Sequence, residues 1–410
     1  MSDSPDKHAG ETSAQITDDG IAHFRERIGV VTPRERPFNE FATLDTIRHF
    51  SQCYGDDNPL YNDPMYGKAT RWSDMIAPPM FVTTTGVSEI KEIRPEVRAR
   101  GAHALSGVHE FFSGDEWEWF LPVRPGDRFT RRYYLYDVEE KARSEFTGKR
   151  TLLIKYRADY LNQRGELAAV DRLKFVRAER DAAVKKGKYS DIHRDHYTKE
   201  QMAEVDAAYA NEYQRSADTL YWEDVSPGDD LPTMARGPLT LTDVITFMRG
   251  WGGAAGHGRL RWKDRMRHPN FYSVNEYGIP DIVQRVHWED DWARKIGNPA
   301  AYDFGRMRSI YLAHLVTNWI GDDGWLWKIS NEFRQFNYLG DIQWIKGTVR
   351  DTHVDPDGHH VVELDIWCEN QRGVINAPGQ ATVILPSRVN GPVQLPKPSE
   401  ETEGTVPLIY

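Results

Sequence analysis

Two stretches of this sequence carry residue types that could perform acid–base chemistry. The first, residues 55–63, reads Gly-Asp-Asp-Asn-Pro-Leu-Tyr-Asn-Asp, and Ile-Ala-Pro-Pro-Met follows at residues 76–80. The second holds His287, and eighteen residues later Gly305 stands just before the apolar-rich segment 307–320. A glycine at the start of a helix presents a free N–H, aided by the helix dipole, to a developing negative charge. The second stretch therefore combines a titratable side chain with a candidate anion-stabilising group.

The first stretch resembles the signature of the MaoC-like dehydratases, a family of hot-dog fold that includes (R)-specific enoyl-CoA hydratases. That signature runs Gly-Asp-x-Asn-Pro-x-His-x-Asp and later ends Ile-Ala-His-Gly-Met. In the family the Asp and the His activate water, and the glycine gives its N–H to the thioester oxygen. Here Tyr61 stands at the His position and Pro79, which has no N–H, stands at the glycine position. The resemblance thus implies a non-catalytic first half.

The alignment that removes a site from the first half places one in the second. His287 and Gly305 both lie 226 positions after Tyr61 and Pro79. Under the resemblance, His287 is the base and Gly305 is the donor to the thioester oxygen. The family places its acid five residues before the His, and the nearest carboxylate is Asp281, six residues before. We assign Asp281 as the acid, with a carboxylate from elsewhere as the alternative.

A basic cluster precedes His287, in about 29 residues that the first half lacks. Its members are His257, Arg259, Arg261, Lys263, Arg265, Arg267 and His268. Because Arg and Lys donate charge-assisted hydrogen bonds to phosphate, Arg259, Arg261 and Lys263 could bind the phosphates of coenzyme A. A solvated surface is the other interpretation. Tyr302 and Tyr61 complete the predicted substrate-binding residues.

Residues near position 355 have the side-chain types of a metal site. His353, Asp355, Asp357, His359 and His360 surround an Asp-Pro-Asp-Gly sequence that is typical of a hairpin turn. We therefore predict no metal, and the implied chemistry requires no cofactor other than coenzyme A as part of the substrate. His314, within the apolar segment, is expected to be a core histidine.

The elements that must position these residues occur twice. Residues 43–55 and 240–252 share apolar residues at helical spacing that end at glycine, and Asn-Gln-Arg-Gly occurs at both 162–165 and 370–373. Gly-Asp recurs at 126–127 and 340–341, and strand-like runs follow in each half. The chain therefore reads as two homologous α+β units. The resemblance makes this a tandem, or double, hot-dog fold, each half an antiparallel sheet wrapped around a central helix.

The predicted domain boundaries follow from this duplication. Residues 1–20 are polar and are expected to be disordered, and 21–180 form the non-catalytic N-terminal hot-dog domain. Residues 181–220 form a charged linker with a surface helix, and 221–410 form the catalytic C-terminal domain. A fused double hot-dog already contains the pair that single hot-dogs make by dimerising, so a monomer and a homodimer both stay open.

Composition excludes several classes of protein. With 52 basic and 62 acidic residues the net charge is −10, so we expect neither nucleic acid nor a membrane as a partner. Cys53 and Cys368 cannot form a disulfide framework, which favours a reducing compartment. The sequence shows no signal peptide and no apolar run of membrane-spanning length, and a cytoplasmic protein is expected.

The resemblance implies reversible hydration of an enoyl-CoA to a (3R)-hydroxyacyl-CoA. The substrate would be an acyl-CoA thioester, and a vacated N-terminal pocket would accommodate a bulky or long acyl group. Two other functions stay open. One is a hot-dog acyl-CoA thioesterase, and the other is a non-catalytic acyl-CoA-binding subunit of a hydratase complex.

Overall fold

The computed structural model describes residues 15–34, 36–141, 150–179, 196–253, 256–399, 402 and 406–410. Most of the expected disordered segment 1–20 therefore lies outside the described residues, and the first helix already begins within it, at Asp18. The linker's residues 181–195 also lie outside the described residues. Its predicted surface helix is present at Lys199–Ala210.

One antiparallel sheet runs through both halves of the chain. Its strands follow the order β2-β3-β4-β1-β8-β11-β10-β9-β5, so that β1 and β8 join the two halves. A separate small hairpin is formed by β6 and β7. The strand bounds are β1 His109–Trp119, β2 Phe129–Lys141, β3 Thr151–Asn162, β4 Leu167–Ala178, β5 Met234–Arg236, β6 Tyr272–Val274, β7 Pro280–Ile282, β8 Trp325–Glu332, β9 Gln343–Val354, β10 His360–Asn370 and β11 Ile375–Ile384.

The helices lie on the sheet and in the connections between its strands. The α-helices are α1 Asp18–Arg25, α2 Leu44–Gln52, α3 Pro59–Asn62, α4 Pro64–Ala69, α5 Pro95–Arg98, α6 Lys199–Ala210, α7 Leu241–Trp251, α8 Arg259–Arg267, α9 Asp290–Lys295 and α10 Gly305–Ile320. Short 3₁₀ segments occur at Pro79–Thr84, Trp222–Asp224, Pro269–Phe271 and Val283–His287.

The predicted duplication is visible in matching local structures. Helices α2 and α7 both begin with a threonine capping box, at Thr43 and at Thr240. The two Asn-Gln-Arg-Gly sequences form the same turn: the side-chain oxygens of Asn162 and Asn370 each accept two backbone N–H groups that follow them. Each turn closes a hairpin, β3–β4 in one half and β10–β11 in the other. Local sequence therefore fixes equivalent elements in both halves.

The central helix is where the two halves differ. In the C-terminal half α10 has sixteen residues, all buried after Gly305, and it packs on β1 as well as on β8 to β11. At the equivalent place in the N-terminal half the chain forms only the six-residue 3₁₀ segment Pro79–Thr84. The expectation of a central helix in each half is corrected here. The physical reason is local, because residues 82–85 are β-branched and Gly86, with φ +92°, ends the segment.

Helices α2 and α7 contact each other through a glycine. A Cβ atom added at Gly250 would lie 2.2 Å from Cβ of Cys53 and 2.8 Å from the His49 carbonyl oxygen. We expect Gly250→Leu to force the two helices apart and to destabilise the protein by about 1–3 kcal/mol, the usual range for overpacking. Thermal unfolding measures this, with Thr242→Leu on the exposed side of α7 as the control. Equal midpoints for the two variants would contradict the close packing.

Candidate active site

A cavity of about 810 Å³ lies where the N-terminal sheet meets the start of α10. Strands β1 and β4 contribute one wall, which includes Phe112 and Phe175. The C-terminal half contributes His287, Phe304 and Gly305, with several more aromatic side chains. The cavity is therefore built by both halves, although the predicted chemistry belongs to the second.

His287 ends a 3₁₀ segment and lies on the cavity wall. Its ring packs against Phe304, with 3.8 Å between ring centroids, and its Nδ1 is 2.9 Å from the carbonyl oxygen of Tyr302. Because a carbonyl oxygen can only accept, Nδ1 carries the proton and Nε2 is left with a free lone pair. Burial lowers the pKa of His287 to about 4, so the ring is neutral near pH 7.

Gly305 is the first residue of α10 and lines the same cavity. Its N–H lies in the first turn, where no preceding helical carbonyl can accept it, and the N-cap residue Phe304 offers no side-chain acceptor. A Cβ atom at position 305 would lie 2.9 Å from the Phe333 ring and 3.3 Å from the Phe112 ring. The site thus holds a helix N-terminus close against two aromatic walls, and a ligand oxygen there would meet a free N–H.

Asp281 is placed differently from the prediction. It lies in β7, its carboxylate pairs with Arg261 at 3.1 Å, and it is not among the described residues that line the cavity. The carboxylate on the wall beside Gly305 belongs to Asp303. Burial raises the pKa of Asp303 to about 6, while its ion pair with Arg308 at 2.9 Å opposes that shift. Asp281 therefore lies off the described lining of the cavity, whereas Asp303 lies on it.

The predicted phosphate-binding residues also stand apart from the cavity. Arg259, Arg261 and Lys263 lie on α8, and none of them is among the described residues that line it. The lining cations are Lys295, Arg306, Arg308 and Arg334. Lys295 and Arg334 are exposed, whereas Arg306 and Arg308 are buried. Sequence reasoning missed these four, although two arginines at the start of an otherwise apolar helix were a signal.

Arg306 ties the start of α10 to the N-terminal half. Its guanidinium pairs with Asp115 of β1 and, at 3.1 Å, with Asp171 of β4. Burial raises the pKa of Asp171 to about 7, and the neighbouring Asp115 adds to the shift while Arg306 opposes it. A charge pair buried to this degree fixes orientation more than it adds stability. It holds the Gly305 N–H against the wall that the other half supplies.

The N-terminal half has an equivalent cavity that is almost filled. Six of its lining residues have a counterpart on the large cavity 226 positions later in the chain. On the small cavity these six are Leu60, Tyr61, Ile76, Ala77, Pro78 and Pro79. Their counterparts, in the same order, are Val286, His287, Tyr302, Asp303, Phe304 and Gly305. Its volume is only about 40 Å³. The expectation that the vacated N-terminal pocket accommodates an acyl group is therefore wrong, because aromatic rings such as Trp72 and Tyr61 occupy that space.

Two further predicted site residues can be placed. Tyr61 is buried in the small cavity and hydrogen-bonds with Thr317, so it does not contact the large one. Tyr302 does lie on the large cavity, with its ring 5.0 Å from that of His287. Of the predicted residues, the structure brings together His287, Tyr302 and Gly305.

The carboxylate that the first motif retains is part of a buried contact between the halves. Asp56 lies with Oδ1 3.4 Å from Nε2 of His314 in the middle of α10. Arg236 donates to Nδ1 of the same ring at 2.9 Å, so Nε2 carries the proton. Burial raises the pKa of Asp56 to about 6, and burial with the Arg236 charge lowers the pKa of His314. His314 is a core histidine, as expected.

Among the described residues, one group has the composition of a metal site: Asp355, Asp357 and His359, whose ligand atoms lie within 4.8 Å of one another. They occupy the β9–β10 hairpin turn. The Asp355 carboxylate already accepts the N–H groups of Asp357 and His359 and pairs with the His359 ring at 2.9 Å. These bonds are those of a turn, as the sequence indicated. Within the described ranges no helix is long and apolar enough to cross a membrane.

Comparison with known proteins agrees with this architecture. A solved structure named MaoC-like dehydratase superimposes on 88% of this chain and 98% of its own, with a TM-score of 0.60 and 15% identity. Residues 27–170 match the family model of the FAS1-like dehydratase domain region. The double hot-dog fold and the resemblance to MaoC-like dehydratases are thereby confirmed. The family match covers the half with the small cavity, so it does not locate the site.

Curated relatives match shorter stretches. A UPF0336 protein of Streptomyces avermitilis is 33% identical over 88 residues, which are 21% of this chain and 55% of that protein. A protein of Thermomonospora curvata named probable enoyl-CoA hydratase alpha subunit is 29% identical over 144 residues, 32% of this chain and 43% of that protein. The chain thus spans about half the length of these relatives.

The depressed pKa of His287 makes stability depend on pH. In the unfolded chain the ring takes up a proton near pH 6.5, whereas in the folded protein it does so only near pH 4. Folding stability contributed by this residue is therefore lost as the pH falls from about 6.5 to 4. We expect the variant His287→Gln to keep this part of its free energy of unfolding as the pH falls. The wild type should lose roughly 1–2 kcal/mol of it, a figure reduced because water in the cavity screens the ring.

Thermal unfolding of the two proteins across that pH range gives the measurement. As the pH falls, the unfolding midpoint of the wild type should decrease relative to that of His287→Gln. His268→Gln, at an exposed position, is the control. A difference that stays constant with pH would mean that the His287 ring is not desolvated.

Proposed function

We propose that this hot-dog protein, related to MaoC-like dehydratases, is a hydro-lyase that reversibly adds water to the double bond of a bulky enoyl thioester. The observation that carries the proposal is the placement of His287 and Gly305 on one cavity of about 810 Å³. The equivalent positions of the other half carry Tyr61 and Pro79 on a cavity of about 40 Å³. Only the C-terminal site has both the groups and the room for such a reaction.

His287 would act as both base and acid. Its free Nε2 lone pair takes a proton from water while the water oxygen bonds to C3 of the enoyl group. The π electrons move towards the thioester, so that negative charge develops on the carbonyl oxygen. The protonated ring then delivers that proton to C2, the carbonyl re-forms, and neutral His287 returns. One group handles both transfers, because the single proton removed from water is the one that C2 receives.

Gly305 would stabilise the charge that develops on the thioester oxygen. Its N–H and the positive end of α10 point at an oxygen seated at the helix start. Asp303 and Arg308 form an ion pair with 2.9 Å between their charged atoms. This pair links the residue before the N-cap to the first turn of α10. This arrangement requires no metal and no redox cofactor for the proposed step.

The size and the lining of the cavity indicate which class of substrate it could bind. Its volume lies in the upper range of small-molecule sites, about 300–1,000 Å³. Aromatic side chains from both halves line it, among them Phe112, Trp251 and Phe333. Exposed Lys295 and Arg334 on its lining have the charge to contact the phosphates of a coenzyme A carrier. We therefore favour a bulky apolar acyl group on a coenzyme A thioester.

One observation favours a second function, a subunit that binds acyl-CoA without turnover. The Asp281 carboxylate is engaged by Arg261, and the Asp303 carboxylate is engaged by Arg308. No described carboxylate is thus seen to contact the His287 ring and raise its basicity. Binding of an enoyl-CoA without loss of its double bond would mark this second function.

The first test is turnover of a panel of trans-2-enoyl-CoA esters, followed by loss of enone absorbance. We expect activity that rises with acyl bulk and falls roughly 100-fold or more in His287→Ala, because general acid–base catalysis is lost. Tyr61→Phe and Asp281→Asn should retain activity, since both residues lie off the large cavity. A thiol-reactive dye separates thioester hydrolysis from hydration. Wild-type turnover that survives in His287→Ala would refute the assignment.

The second test isolates the Gly305 N–H. Gly305→Pro repeats the residue that the N-terminal half has at Pro79, and proline is well accommodated at the first position of a helix. We expect kcat to fall about 100- to 1,000-fold, the usual effect of losing one oxyanion donor. Gly305→Ala adds the same close contact with Phe333 but keeps the N–H, so it is the matched control. Equal kcat values for the two variants would remove the N–H from the mechanism.

A further inference from the structure

Helix α8 exposes its large apolar residues, while two of its charged residues contact the β6–β7 hairpin. Arg261 pairs with Asp281 at 3.1 Å, and Asp264 accepts a hydrogen bond from the Tyr272 hydroxyl at 2.7 Å. Leu260, Trp262 and Met266 are 67%, 52% and 56% exposed, and Trp262 and Met266 lie one helical turn apart. A surface helix normally buries such residues. The charged contacts therefore fasten α8 to the β6–β7 hairpin and leave its apolar residues facing outward.

The β6–β7 hairpin continues the same pattern. Val274 and Ile279 are about half exposed, and Tyr277 at the hairpin turn is 76% exposed. We call the three residues of α8 and these three residues of the hairpin the apolar face. An exposed group of large apolar side chains in one short segment is typical of an interaction site.

Positive charge accompanies the apolar face. Residues 256–279 carry five Arg or Lys against Asp264 and Glu276, a net charge of +3 in a chain of −10. Arg259 and Lys263 lie one helical turn apart on α8 and are exposed, and no ion pair of either is found among the described residues. The expectation of no membrane partner used the average charge of the chain, which hides this local reversal.

The shape and charge of this region decide what can cover it. Contact with the same face of a second copy would bring cations against cations, which is unfavourable. Tyr277 at the hairpin turn is 76% exposed, so its ring is available to a partner surface. Projecting Trp, Leu and Tyr side chains beside Arg and Lys suit the interface of a bilayer, where apolar groups enter the acyl boundary and cations meet lipid phosphates.

We propose that the apolar face, together with Arg259 and Lys263, adsorbs to a bilayer surface that contains anionic lipid. The same segment supplies Asn270, Tyr272 and Ser273 to the wall of the large cavity. Adsorption would therefore bring that cavity next to the bilayer. The proposal concerns binding of the resting protein and does not depend on catalysis.

Co-sedimentation of the purified full chain with lipid vesicles tests this proposal. One set of vesicles is phosphatidylcholine alone, and the other contains about one third phosphatidylglycerol. The apolar variant is Leu260→Ser with Trp262→Ser, and the charge variant is Arg259→Glu with Lys263→Glu. Controls on α7, outside the segment, are Ile245→Ser, which is 53% exposed, and Arg249→Glu. Thermal unfolding and size-exclusion chromatography show that each variant is folded and report its oligomeric state.

We expect wild type and both controls to bind the anionic vesicles. The apolar variant and the charge variant should each bind at least about tenfold more weakly. High salt should weaken wild-type binding by screening the cations. The proposal would be overturned if the wild type did not bind, or if the apolar and charge variants bound as strongly as the wild type. Equal binding to uncharged vesicles would also overturn it. A change of oligomeric state without vesicle binding would assign the face to protein association instead.

Discussion

The structure depends on the burial of one helix, α10, between elements of both halves. Every residue after Gly305 is buried, and the helix contacts β1 of the N-terminal half as well as β8 to β11. Two of its polar residues complete contacts between the halves. Arg306 pairs with Asp115 and Asp171, and His314 faces Asp56. Because the N-terminal half has only a 3₁₀ segment at the equivalent place, α10 supplies much of the core of both halves.

The two halves also differ in the cavity that lies at the equivalent place in each. Duplication gives two equivalent cavities, and six lining residues of the small cavity correspond in sequence to six of the large one. In the N-terminal half Tyr61 and Trp72 fill the space and Pro79 removes the N–H, so that side becomes packed core. Strands β1 and β4 of that half line the cavity that remains open. The N-terminal half thus has a nearly filled cavity of its own and supplies one wall of the large cavity.

Buried charge is used sparingly and in pairs around this site. Asp303 pairs with Arg308 and Arg306 pairs with two aspartates, so that the start of α10 is held by contacts within its own half and from the other half. His287, in contrast, hydrogen-bonds to the backbone of Tyr302 and of Asp303, and burial keeps it neutral. On the outer surface, Arg261 of α8 pairs with Asp281, while Leu260, Trp262 and Met266 of the same helix are exposed.

The sequence alone determined the duplicated frame and the spacing of its parts. Turn glycines, threonine caps and apolar periodicity are local properties, so α2, α7, α10 and both Asn-Gln-Arg-Gly hairpins could be predicted. The eighteen-residue spacing from His287 to Gly305 likewise singled out the half that has an open cavity. The absence of a central α-helix at Pro79–Thr84 also has a local cause, in the β-branched residues there. We nevertheless expected a helix, because the family that the sequence resembles has one at this place.

Only the tertiary structure decided which charges meet the cavity. Asp281 lies six residues from His287 in sequence, yet its partner is Arg261 of α8, and the carboxylates on the cavity lining belong to Asp303 and Glu110. The cluster at Arg259 to Lys263 faces away, and Lys295 and Arg334 line the cavity instead. Cavity volume is equally invisible in sequence. It is set by how side chains distant in the chain, such as Phe112, Trp72 and Phe333, pack against one another, and spacing along the chain carries no record of those contacts.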